Sequence, residues 1–152
     1  MSLSIFYHPD YLNHDTGIGH PECRDRLKAC IETLENCRFA DNLVWKSPRS
    51  ATEEALNWIH TAQQIERIEQ ACASGGGYLD ADTPVCPASY DIAKKSAGAW
   101  LDGVNEVLNG NSTLILSRPP GHHAESNRAM GFCLFSNASL AAIYALKQNR
   151  IN

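Results

Sequence analysis

His122 and His123 stand side by side within residues 117–133, SRPPGHHAESNRAMGFC. Imidazole changes charge near neutral pH, so a histidine pair suits proton transfer or metal ligation. Ligation fits less well. A zinc site takes three or four ligands from different directions, and neighbouring side chains on extended backbone point apart. Ordinary hydrogen-bonded loop histidines are the third reading. The context favours a working role: Pro119 and Pro120 stiffen the approach, Gly121 permits close packing, and residues 113–117 read as a buried strand leading into the turn.

The elements that must hold this turn follow from periodicity. Residues 3–8 (LSIFYH) read as a short strand, and residues 9–22 as a loop. A helix is expected from about Pro21, with Leu27, Cys30, Ile31 and Leu34 on its apolar face. A second strand is expected at residues 43–46. Thr52 opens a short helix with Glu53 and Glu54 in its first turn. Thr61 and Gln64 form a capping-box pattern ahead of Ile65, Ile68 and Cys72, and Gly75-Gly76-Gly77 stops that helix. Residues 78–87 read as a polar loop. Ser89 would cap a long helix whose buried face is Ala93, Ala97, Trp100, Val104 and Leu108, ended by Asn109-Gly110-Asn111. Residues 118–135 form a loop of 18 residues, long enough in a compact domain to suggest function. Ser136 or Asn137 would cap a last helix carrying Leu140, Ile143, Tyr144 and Lys147, and residues 150–152 read as the start of a further strand. Alternating strands and helices argue for an α/β fold with a mainly parallel sheet flanked by helices. Ligands in such folds sit beyond the carboxyl ends of strands, which is where the histidine loop lies.

The 152 residues suit a single domain, and 43% apolar with 20% charged residues is an ordinary globular composition. The net charge of −4 gives no basic field for nucleic acid, and no apolar run is long enough to span a membrane. Without a signal-peptide pattern at the start of the chain, a cytoplasmic protein is expected. The six cysteines include no C-x-x-C pair; Cys23, Cys30 and Cys37 recur every seven residues, roughly along one helix face. Free, mostly buried thiols are the expectation. His8, His14, Asp15 and His20 share one loop and form an alternative metal-binding set.

The sequence resembles the zinc-dependent histone deacetylase family, which includes acetylpolyamine amidohydrolases and acetoin-utilisation proteins. The resemblance rests on R-P-P-G-H-H-A-E from Arg118 to Glu125, followed by M-G-F-C from Met130 to Cys133. It extends to His20-Pro21-Glu22 with Arg26-Leu27, to DADTPVCPASYD at residues 80–91, and to the alanine-rich segment after it. The A-E and A-M-G-F-C sequences look more like class II and bacterial members. The resemblance implies an arginase/deacetylase-like fold. It implies that His123 is a general base toward the attacking water and that His122 is its protonated partner. It further implies that Gly131 and Phe132 wall a channel for the acyl-lysine, that Asp82 touches substrate backbone at the rim, and that Arg26 is a buried arginine near the inner end. The substrate implied is acetyl-lysine or a small acetylated amine.

The chain departs from the family's pattern beyond its histidine pair. The family's zinc ligands, an Asp-x-His and a later Asp, and its tyrosine lie further along, whereas no histidine or aspartate follows residue 123 here. The expectation is an N-terminal part of a deacetylase domain, truncated before the metal-ligand strand. Zinc would be the cofactor of the complete enzyme, with no metal held by this chain. The chain alone is expected to be inactive and to self-associate through an exposed sheet edge. The alternatives are a non-catalytic binding or assembly module, or one half of a split enzyme.

Overall fold

The computed structural model describes residues 2–148. Strands β1 (Leu3–Phe6), β2 (Leu43–Lys46) and β5 (Ser112–Ile115) form a parallel sheet in the order β2-β1-β5. Ile5 pairs with Trp45 on one side and Leu114 on the other. The central strand is covered on both faces, so Ile5 is fully buried and its sequence is nearly all apolar. The strand expected at residues 150–152 lies outside the described residues.

Helices pack around this sheet. They are α1 (Arg24–Glu35), α2 (Glu53–Leu56), α3 (Ala62–Ala73), α4 (Ser89–Leu108) and α5 (Asn137–Lys147). Helix α4 is the spine, touching β1, β5, α3 and α5. It runs so close to the segment before α2 that a Cβ on Gly98 would lie 2.0 Å from the Arg49 carbonyl oxygen. One core cluster joins Leu56, Ile65, Ile68, Ala97, Leu101, Phe135 and Leu140. A smaller one joins Tyr11, Leu27 and Ile92. No helix among the described residues is long and apolar enough to cross a membrane.

Several local expectations hold, with revised details. Thr52 and Thr61 cap α2 and α3 by accepting hydrogen bonds from the Ala55 and Gln64 amides. The capping box at Thr61 is only half made, because the buried Gln64 side chain turns to the loop, donating to the Asn127 carbonyl and accepting from the Ala129 amide. Residues 78–87 are not all loop: β3 (Gly77–Tyr78) and β4 (Pro84–Val85) form a small antiparallel ribbon. Ser89 is the first helical residue of α4 rather than its cap, and its hydroxyl accepts from the Cys86 amide and meets His14 Nδ1 at 2.7 Å. Trp100, Val104 and Leu108 are only half-buried, because α4 is covered on more than one side and its buried set moves to Tyr90, Ile92, Ser96 and Leu101.

Helix α1 starts at Arg24, not Pro21, because Glu22 is first drawn inward. Cys23 therefore precedes the helix and Cys37 follows it, so the three cysteines do not line one helix face. All six thiols are free, but only Cys72 and Cys133 are buried, and Cys30 is exposed.

Candidate active site

The histidine loop hangs between β5 and α5. Its first anchor is Arg118, 3% exposed, which makes a two-pronged ion pair with the equally buried Glu22 at 2.7 and 2.9 Å. Arg118 also donates to the Tyr11 carbonyl at 3.0 Å. A buried charge is tolerated only when paired and hydrogen-bonded in this way. The second anchor is Gly121. Its carbonyl accepts from the Ala138 amide at the start of α5, and a Cβ there would lie 2.3 Å from the Asn137 side chain. Ser136 occupies the cap position of α5, but its hydroxyl bonds to Ser139 instead, so the loop backbone caps the helix.

Between these anchors His122 and His123 are exposed, with ring centroids 4.3 Å apart and planes inclined at 47°. The His122 amide donates to the Cys133 thiol at 3.4 Å, and Cys133 also pairs with Met130 across a tight turn. Gly131 in that turn has φ +56°, and a Cβ on it would lie 2.8 Å from His123 Cβ and 2.9 Å from two of its ring carbons. Only glycine lets the two segments lie this close.

Phe132 continues the left-handed turn at φ +68°, a conformation that residues with side chains seldom adopt. Its amide donates to Thr83 Oγ1 at 3.1 Å, and its ring meets the His20 ring edge-on at 4.8 Å. Thr83 in turn donates to Asp82 Oδ1 at 3.1 Å. His20 Nδ1 accepts from the Glu22 amide, which leaves Nε2 as the donor to the Asp82 carbonyl at 3.2 Å. The structure thus brings together His122, His123, Gly131, Phe132 and Asp82.

It does not bring Arg26 into that group, nor bury it. Arg26 is exposed, and it lines a cleft of about 480 Å³ with Glu22, Leu27, Ile115, Leu116 and Arg118. The buried arginine of this region is Arg118.

The alternative metal set does not converge. His8 pairs with Asp10, beside the ion pair between Lys95 and Asp10. His14 is buried against Ser89 and Glu22, and burial pushes it down to about 4, so it is neutral at physiological pH. Among the described residues no three of His, Cys, Asp or Glu are grouped to hold a metal.

Thr83 carries no sequence signal of a site role, and the His20-Pro21-Glu22 motif does not by itself name the partners of His20 and Glu22. The signal for Glu22 was an acid directly after His20-Pro21, which needs a cation if the loop turns inward.

The model of the histone deacetylase domain matches residues 20–152. The chain belongs to the histone deacetylase family. It is 44% identical over 148 residues to protein slr0245 of Synechocystis sp., covering 95% of this chain and 49% of the relative. It is 38% identical over 123 residues to the histone deacetylase-like amidohydrolase of Pseudomonas aeruginosa, covering 80% of this chain and 32% of the relative. The fold superposes on the crystal structure of the HDA15 HD domain with a TM-score of 0.90 and 29% identity, covering 97% of this chain and 43% of that one. The chain therefore spans less than half the length of these relatives, and its sheet is the parallel α/β sheet of a deacetylase domain.

Proposed function

We propose that this segment of the family contributes the proton-handling and substrate-lining part of a zinc-dependent deacetylase site. The observation that carries the reading is the packing of Gly131, the residue before Phe132, against His123. His123 takes the proton of the attacking water, and His122 stands beside it to stabilise the developing oxyanion. Phe132 flanks the methylenes of an extended side chain, and Asp82 meets substrate backbone at the mouth. The substrate is acetyl-lysine or a small acetylated amine, whose aliphatic chain Phe132 would flank.

In this reading zinc and its ligands come from chain outside the described residues, and the isolated chain is inactive. Among the described residues β5 is an edge strand, which supports pairing with further chain, either a second copy or the rest of a deacetylase domain. The test is a chimera joining residues 1–152 to the remainder of the Pseudomonas amidohydrolase, assayed for acetate release from an acetyl-lysine peptide and an acetylated polyamine. Acetate release by the chimera, lost in its His123→Ala form and absent from the chain alone, is the expected result. Release by the chain alone would overturn the half-site reading. Light scattering across concentrations separates self-association from a monomer.

A further inference from the structure

We propose that Thr83 and His20 are positioning residues that together brace Phe132 in its left-handed conformation, fixing where the channel wall stands. The inference rests on the reading of Phe132 as that wall. The backbone at Phe132 has φ +68°, which a phenylalanine holds only when its surroundings impose it. Two groups impose it from opposite ends of the residue. Thr83, fully buried, receives the Phe132 amide at 3.1 Å on the oxygen whose own proton goes to Asp82 Oδ1 at 3.1 Å. One hydroxyl therefore acts as acceptor toward the wall and as donor toward the rim acid.

His20 holds the side chain. Its ring edge meets the Phe132 ring at 4.8 Å and an interplanar angle of 75°. The imidazole is itself fixed at both nitrogens, by the Glu22 amide at Nδ1 and the Asp82 carbonyl at Nε2. Both supports thus end on Asp82, one on its carboxylate and one on its carbonyl. The wall residue and the rim residue are held as a unit by two residues that belong to neither.

The experiment is amide hydrogen exchange and ring contacts measured by NMR on the isotope-labelled chain. Thr83→Val keeps the shape and removes both hydrogen bonds; Thr83→Ser keeps both. Exchange at the Phe132 amide is expected to rise about tenfold in Thr83→Val and to return to the original rate in Thr83→Ser. The Ile5 and Leu114 amides in the sheet should keep their rates, which separates local release from global destabilisation. His20→Ala is expected to shift the Phe132 ring resonances, and it decides the matter if Thr83→Val does not fold. Unchanged Phe132 exchange in Thr83→Val, loss without rescue by serine, or an unmoved Phe132 ring in His20→Ala would overturn the brace. An inactive chimera with these shifts present removes the deacetylase reading and leaves the brace standing.

Discussion

Gly131→Ala is the sharpest test of the site's geometry. The substitution adds one methyl group at a backbone φ of +56°. Left-handed backbone costs a residue with a side chain roughly 1–2 kcal/mol. The new Cβ also lies 2.8 Å from His123 Cβ and 2.9 Å from Cγ and Cδ2, so the imidazole must move. Such overpacking adds roughly 1–3 kcal/mol, for a total of about 2–5 kcal/mol. Gly110→Ala is the matched control: it has φ +85° with nothing within 4 Å of the added Cβ, so it carries the backbone strain alone. Urea unfolding of the two variants should therefore place Gly131→Ala at least about 1 kcal/mol below Gly110→Ala, and the His123 ring resonances should shift only in the former. Equal losses in the two variants with His123 unmoved would refute the argument that Gly131 is glycine because of His123.

Three further outcomes follow from the packing. Glu22→Gln leaves Arg118 buried without a counter-charge, which should cost about 3–5 kcal/mol and lower the melting temperature by about 10 °C; a double-mutant cycle with Arg118→Met should show strong coupling. Burial holds His14 at about 4 in the folded chain, below its ordinary 6.5, so between those values the unfolded chain binds the proton and the folded chain does not. Stability from this group is whole above pH 6.5 and is lost as the pH falls toward 4, by about 3 kcal/mol, and His14→Asn should flatten that part of the pH–stability curve. Gly98→Ala puts a methyl group 2.0 Å from the Arg49 carbonyl oxygen, a backbone atom, and should cost about 3 kcal/mol or more by calorimetry.

The elements of this protein were legible wherever the controlling interaction is local. The threonine caps at Thr52 and Thr61 act within three residues, and Gly75-Gly76-Gly77 ends α3 at positive φ. The parallel sheet followed from alternation, and the tandem histidine motif with its Gly131-Phe132 sequel pointed to the family. Misplaced features share another cause. Helix α1 begins late because Glu22 answers Arg118, 96 residues away. Ser89 is claimed by Cys86 and by His14, 75 residues away, and so does not cap α4. Arg26 and Arg118 are the same residue type in matching motifs, yet only packing decides which is buried. Phe132 stands where it does because of Thr83, 49 residues distant, and His20 reaches Asp82 across 62. Hydrogen bonds within a turn write their requirements into adjacent residues, whereas a buried ion pair or a brace across loops constrains only the two ends that meet. The sequence alone therefore determined the chemistry on offer, and the tertiary structure decided which side chains hold it in place.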